Sequence, residues 1–98
     1  EIFGPVVTLI PFDNEEDAIQ IANESDYGLS ATIWTEDKER ATRVSNQVEA
    51  GVIWVNCWLV RDLRTPFGGM KQSGMGREGG SEALRFFTEQ KNVCTSIA

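Results

Sequence analysis

The sequence predicts an α/β fold in which a mostly parallel sheet is flanked by helices. Short apolar runs rich in β-branched residues alternate with amphipathic stretches of helical period. Runs that are apolar on both faces are typical of parallel strands covered by helices. Strand–helix–strand order with short connections favours parallel pairing through right-handed crossovers.

The first unit of this pattern runs from residue 5 to residue 28. Residues 5–12 form a near-continuous apolar run and are predicted to be a strand. Asp13 or Asn14 is the expected N-cap of the helix that follows, because either side chain can accept hydrogen bonds from the free amides of the first turn. Gly28 is expected just past the helix end, where a left-handed conformation suits glycine.

The second unit repeats the same order. Residues 29–35 are predicted to be a strand, and Glu36 and Asp37 to open a helix with an apolar stripe. Gly51 is expected to close that helix, and residues 52–55 to form the third strand.

The last third of the chain differs in composition. Six glycines fall between residues 66 and 80, which predicts a long irregular loop. Ser81 is the expected N-cap of a short helix. The tail, residues 92–97, has strand propensity.

Composition excludes several classes of function. The 98 residues suffice for one domain with a modest core, and the net charge of −6 argues against duplex nucleic acid as a partner. The chain has no histidine, which excludes histidine-based catalytic pairs and the common zinc motifs within it, and we expect no metal site. No apolar run approaches the ~18 residues of a membrane span. Two widely spaced cysteines are typical of a reducing compartment, so we expect a cytoplasmic protein.

Two features of the sequence are weak candidates, one for a nucleotide-binding loop and the other for a catalytic thiol. Residues 74–79 match the dinucleotide-binding pattern GxGxxG, but a polar loop precedes them and the chain ends before a second strand could supply the acidic residue. We favour glycines that let backbones pack closely. Cys57 and Cys94 have no histidine or helix N-terminus beside them to activate a thiol, and we expect both to be buried and inert.

A stronger candidate site follows the third strand. Arg61 and Arg64 lie beyond the carboxyl end of a predicted parallel strand, where ligands gather in open sheets. Two guanidinium groups there could bind a carboxylate. The alternative is that Asp62 or another acid pairs with one arginine and the loop is merely solvated. Of the three tryptophans, Trp58 is expected to be the most exposed.

Several motifs along the whole chain, in order and spacing, resemble the C-terminal part of the NAD(P)-dependent aldehyde dehydrogenase superfamily. Residues 57–69 resemble most the 2-aminomuconate and 2-hydroxymuconate semialdehyde dehydrogenases of that superfamily. The motifs are Glu1-Ile-Phe-Gly-Pro5, Tyr27-Gly-Leu-Ser-Ala31, Trp54-Val-Asn-Cys57, Pro66-Phe-Gly-Gly-Met-Lys-Gln-Ser-Gly74 and Gly76-Arg-Glu78.

The resemblance implies roles for the ends of the chain. Glu1 would bind the nicotinamide-ribose hydroxyls of NAD (or NADP), and Phe3 would pack beside the nicotinamide ring. Residues 1–90 would be the C-terminal part of the catalytic domain. Residues 91–98 would be an oligomerisation strand that pairs with another subunit, so we expect a homo-oligomer.

The resemblance also implies a substrate tunnel. Trp58, Arg61, Arg64 and Phe67 would lie along it, and many relatives have an aromatic residue at the position of Arg61. A cation there suits an aldehyde that also carries a carboxylate, as a muconate semialdehyde does. The catalytic cysteine, the general-base glutamate and the cofactor-binding domain lie upstream in this family, so we expect no catalytic residue in this chain and no activity from it alone.

Two alternatives belong to other classes. One is a free-standing interaction module that keeps the fold and pairs through residues 92–98, since edge strands favour such pairing. The other is a small nucleotide-binding protein that uses residues 74–79, which would require measurable NAD affinity.

Overall fold

The computed structural model describes residues 2–97. In chain order the elements are α1 (Glu15–Asn23), β1 (Tyr27–Gly28), β2 (Ser30–Ile33), α2 (Lys38–Gln47), β3 (Val52–Val55), β4 (Met70–Lys71) and α3 (Gly80–Phe87). Strands β2 and β3 pair in parallel, and helix α2 connects them, which confirms the predicted strand–helix–strand unit. Strands β1 and β4 pair antiparallel, a contact that the sequence did not predict.

Helix α1 begins as predicted and ends earlier than predicted. The Asn14 side chain accepts a hydrogen bond from the Asp17 amide at 3.0 Å, which confirms the N-cap. Gly28 does not stop the helix; it lies in β1, where an added Cβ would overlap the Glu49 carbonyl oxygen and lie 3.2 Å from the Met70 Cβ. This glycine is therefore required by the close approach of two backbones.

Helix α2 shows the same difference at its end. The Asp37 carboxylate accepts hydrogen bonds from the Glu39 and Arg40 amides at 2.9 and 3.1 Å, as expected of an N-cap. The helix ends at Gln47 with an extended cap residue, so the prediction that Gly51 closes it is wrong. Gly51 instead packs against the glycine-rich loop.

An ion-pair cluster joins the two helices. Arg43 and Arg40 donate hydrogen bonds through Nε to the Glu15 carboxylate at 2.6 and 3.2 Å. The hydrogen bond from Arg43 is the main reason why the pKa of Glu15 lies below its ordinary value of 4.5. Because Glu15 is the first residue of α1, the cluster fixes the start of this helix against α2.

Replacing Glu15 with glutamine is expected to lower the melting temperature at neutral pH by about 2 °C. A lowered pKa in the folded state means that the carboxylate stabilises the fold above pH 4.5, and that this contribution is lost as the pH falls through the lowered value. The difference between the variant and the parent should therefore be largest at neutral pH and shrink as the pH falls below 4.5. Thermal denaturation at a series of pH values from neutral to acid tests this; a difference that stays constant throughout the series would contradict it.

The predicted strand over residues 5–12 is not formed. These residues are exposed and have no regular secondary structure, and the backbone hydrogen bond found there, from the Val6 amide to the Gly4 carbonyl, is local. A strand requires hydrogen bonds to a neighbouring backbone. Among residues 2–97, none is paired with this segment.

In the last third of the chain, the glycine-rich loop has more regular structure than predicted, and the tail has less. The glycine-rich loop contains β4 and an antiparallel bridge between Phe67 and Glu78. Gly79, at φ +86°, is the N-cap of α3, so Ser81 is not the cap and lies in the first turn. Residues 88–97 form no helix or strand and are exposed, so the tail strand is not present in this single chain.

The core is smaller than expected. Within the described residues the buried hydrophobic side chains are those of Ala50 and Trp54, while many large apolar side chains are exposed. The radius of gyration is 18.6 Å, against about 13 Å for a compact domain of this size. An exposed apolar surface of this extent is typical of a segment that packs against further polypeptide. No helix in residues 2–97 is long and apolar enough to cross a membrane.

Candidate functional site

A cavity of about 290 Å³ lies between the loop that follows β3 and the amino-terminal end of β2. It is lined by Trp58, Leu59 and Arg61 of that loop together with Phe67, Trp54 of β3, and Leu29 and Ser30 at the start of β2. The structure therefore brings together Trp58, Arg61 and Phe67, three of the four predicted substrate-binding residues, although the loop folds back along the strands instead of staying beyond their carboxyl ends.

Two hydrogen-bonded contacts position the loop that forms this cavity. The Asn56 side chain accepts a hydrogen bond from the Thr35 amide at 2.9 Å and donates one to the Thr35 carbonyl at 2.8 Å. The buried indole of Trp54 donates from Nε1 to the Val60 carbonyl at 2.8 Å. The polar tip of the Trp54 ring thus holds the loop against β3.

Arg61 contacts two residues from opposite ends of the glycine-rich loop, Phe67 and Glu78. Its guanidinium lies 4.4 Å from the centre of the Phe67 ring, and its Nη2 donates to Glu78 Oε1 at 2.9 Å. The backbones of Phe67 and Glu78 are hydrogen-bonded in both directions at 2.7 Å. Glu78 was missed as a site residue, because no sequence spacing links it to Arg61.

Arg64 lies apart from the cavity. It donates from Nε and Nη2 to the Asp62 carboxylate at 2.9 and 2.5 Å, and its side chain is 89% exposed. The hydrogen bond from the Arg64 side chain is the main reason why the pKa of Asp62 is lowered. Each arginine does pair with an acid, as the alternative prediction held: Arg64 with Asp62, and Arg61 with Glu78. Of the two guanidinium groups, only that of Arg61 lines this cavity.

The remaining aromatic and thiol predictions have mixed outcomes. Trp58 is 68% exposed as expected, but Trp34 is equally exposed at 70%. Cys57 is half-buried, while Cys94 is exposed, so the prediction of a buried thiol at Cys94 is wrong. Residues near the chain end have too few neighbours to cover it.

The glycine-rich loop offers no phosphate cradle in the described chain. The amide of Gly80 donates to the Leu63 carbonyl at 2.9 Å, and the Leu63 and Thr65 carbonyl oxygens occupy the space that a Cβ on Gly79 would take. Carbonyl oxygens facing a helix N-terminus repel an anion. At Gly76 a Cβ would overlap the Phe86 ring. These glycines permit close packing, as predicted. Residues 2–97 also contain no cluster able to hold a metal ion.

The residues expected to hold a nicotinamide cofactor lie at the start of the chain. Phe3 is 99% exposed and lines none of the cavities described here, so its ring face is open to stack on a planar ligand. Glu1 lies outside the described residues. A carboxylate acceptor and an aromatic face suit the ribose and nicotinamide ends of the cofactor.

Residues 1–93 match the model of the Aldehyde dehydrogenase family. The chain therefore belongs to this family of oxidoreductases, and the resemblance noted above is confirmed. Because the family match covers residues 1–93, a free-standing interaction module is the less favoured alternative.

Individual relatives agree with this assignment. The chain is 60% identical over 97 residues to a 2-hydroxymuconic semialdehyde dehydrogenase of Pseudomonas sp. (strain CF600), covering 99% of this chain and 20% of that protein. It is 59% identical over 93 residues to a 2-aminomuconic semialdehyde dehydrogenase of Danio rerio, covering 95% and 19%. The chain thus spans about a fifth of the length of the curated relatives it matches.

Solved structures support the fold. The chain superposes on HpcC from Thermus thermophilus with a TM-score of 0.89 and 45% identity, covering 99% of this chain and 20% of that one. It superposes on the P. syringae indole-3-acetaldehyde dehydrogenase AldA, in complex with NAD+ and IAA, with a TM-score of 0.88 and 46% identity, covering 93% and 18%. The α/β arrangement is therefore that of aldehyde dehydrogenases.

Proposed function

We propose that this chain is the C-terminal part of an NAD(P)-dependent aldehyde dehydrogenase that oxidises a muconate-type semialdehyde to the corresponding acid. The full-length protein of this proposal is called the complete enzyme below. The observation that carries the proposal is that the guanidinium of Arg61 lines a cavity together with three aromatic side chains, those of Trp54, Trp58 and Phe67. The names of the relatives support it, since several act on semialdehydes of this type.

The residues of this chain would bind and orient rather than react. Arg61 would receive the carboxylate of the substrate, while Trp58 and Phe67 would form an apolar wall that excludes water. Arg64 stays a second candidate for the carboxylate. Glu1 and Phe3 would hold the nicotinamide end of NAD or NADP, which supplies the hydride acceptor when bound. By family resemblance the reactive thiol and the general base come from residues upstream of this chain.

Assembly and location are further parts of the proposal. Residues 91–98 would pair with another subunit, giving a homo-oligomer in the cytoplasm. Supporting this, Val93 and Ile97 would lie on one face of a tail strand, and they are 74% and 93% exposed, which suits a strand whose partner belongs to another subunit.

The complete enzyme is expected to oxidise a muconate-type semialdehyde with a kcat/KM about 30-fold above that of an uncharged aldehyde of the same length, the gain typical of hydrogen bonds to a charged group. Initial rates of NADH or NADPH formation measure this, and equal values for both aldehydes would contradict the proposal. The purified 98-residue chain, assayed beside the complete enzyme, is expected to show no oxidation. Turnover by the chain alone would refute the upstream placement of the nucleophile.

A further inference from the structure

We propose that Glu78 is a positioning residue for Arg61, and that it thereby helps to determine the preference for aldehydes that carry a carboxylate. This inference rests on the proposed function of Arg61. It adds a residue that lies 17 positions away along the chain and contacts Arg61 only in the fold.

The contact geometry leaves Arg61 able to bind a ligand. Glu78 accepts a hydrogen bond from Nη2 of Arg61, and the Phe67 ring covers one face of the guanidinium at 4.4 Å. Within residues 2–97, no hydrogen bond engages Nε or Nη1 of Arg61. A substrate carboxylate can therefore approach the side of the guanidinium that is turned away from Glu78, where like charges are kept apart.

The backbone that carries Glu78 is fixed. Its amide and carbonyl pair with those of Phe67 at 2.7 Å. On one side the Arg77 guanidinium donates from Nη1 to the Gly69 and Gly76 carbonyls at 2.9 and 2.7 Å. On the other side the Gly80 amide is bonded to Leu63. The Glu78 carboxylate thus starts from a held position, and its replacement leaves the backbone bridge intact.

Positioning of this kind has a direct effect on affinity. An arginine side chain has many rotamers, and ordering it when a substrate binds costs free energy. An anchor at Nη2 and an aromatic surface below the guanidinium supply that order in advance. The ion pair of Arg64 with Asp62 has no such effect, because both residues belong to one exposed loop outside the cavity.

The experiment measures, in the complete enzyme, the ratio of kcat/KM for a carboxylate-bearing semialdehyde to kcat/KM for an uncharged aldehyde. This ratio cancels any effect on the common chemical step. Glu78→Ala is expected to lower it about fivefold, mainly by raising KM for the charged aldehyde, as suits the loss of one partly exposed ion pair. Glu78→Gln should keep most of the ratio, because its amide oxygen can still accept from Nη2.

Further variants separate positioning from charge. Glu78→Asp keeps the charge but is too short to reach Arg61, so it should lower the ratio as Glu78→Ala does. If Glu78→Asp keeps the ratio and Glu78→Gln loses it, the charge of Glu78 matters and its hydrogen bond to Arg61 does not, which would overturn this inference. Glu82→Ala is the matched control. Glu82 forms a 3.2 Å ion pair with Arg85 within α3, and neither residue lines the cavity, so this substitution should leave the ratio unchanged. In an Arg61→Ala background, Glu78→Ala should have no further effect.

The outcomes distinguish the two proposals. If Arg61→Ala lowers the ratio and Glu78→Ala leaves or raises it, Glu78 does not position Arg61 and this inference is wrong while the proposed function stands. If Arg61→Ala leaves the ratio unchanged, the proposed function of Arg61 has failed, and this inference with it. Glu78→Gln and Glu78→Asp give the same decision if the alanine variant does not fold.

Discussion

Replacing Gly51 with alanine is expected to destabilise the complete enzyme by about 3 kcal/mol or more and to reduce its soluble yield. Gly51 lies just before β3, and its amide donates to the Gly28 carbonyl at 3.0 Å. An added Cβ would overlap the Gly68 carbonyl oxygen and lie 2.8 Å from its carbon and 3.2 Å from the Gly69 Cα. These are backbone atoms that cannot rotate away, so the glycine-rich loop must move off the sheet.

Gly4 provides the control for this substitution, since a Cβ there would meet no atom of residues 2–97 within 4 Å. Both changes reduce the conformational freedom of the unfolded chain to a similar extent, so the difference between them isolates the overlap at Gly51. Thermal denaturation of the two variants measures that difference. Equal melting temperatures would mean that the loop does not contact β3 as described.

The elements predicted correctly from the sequence depend on neighbouring residues. Asn14 and Asp37 are N-caps because their side chains reach amides two or three residues ahead, and that geometry follows from local sequence. Residues 52–55 were predicted as a strand with the observed bounds, because a short apolar run between a glycine and a polar residue leaves little choice.

The elements that this single chain does not form, or forms differently from the prediction, depend on distant backbones. Residues 5–12 and 92–97 have the side chains of strands, but strand formation requires a partner, and residues 2–97 provide none. Gly28 and Gly51 were assigned to helix ends because glycine is common there. Each is instead required where another backbone approaches, which no local pattern indicates.

The candidate site shows the same division. Trp58 and Arg61 follow a predicted strand end, so topology indicated them, and the family resemblance added Phe67. Glu78 reaches Arg61 only through its bridge with Phe67. The spacing of Arg61 and Arg64 could not show which of them lines the cavity. That depends on the fold, in which Asp62 holds Arg64 outside it.

Replacing Arg61 with alanine is expected to lower kcat/KM of the complete enzyme for a muconate-type semialdehyde about 100-fold, chiefly by raising KM. Loss of a charge-assisted hydrogen bond that leaves a carboxylate unpaired costs about 3 kcal/mol, which corresponds to this factor. An uncharged aldehyde never makes that bond, so its KM should change by less than about threefold, from lost packing on Phe67. Steady-state kinetics with both aldehydes test the prediction, and equal effects on the two would exclude a carboxylate-binding role.

Arg64 is the matched comparison for Arg61, because it has the same charge, lies three residues away and is held by Asp62 outside the cavity. If position in the cavity decides, Arg64→Ala should raise KM for the charged aldehyde far less than Arg61→Ala does. If long-range attraction decides, the two variants should act alike, and both effects should fade with added salt. A larger effect at Arg64 would place the carboxylate on the other side of this loop and would exclude the assignment to Arg61.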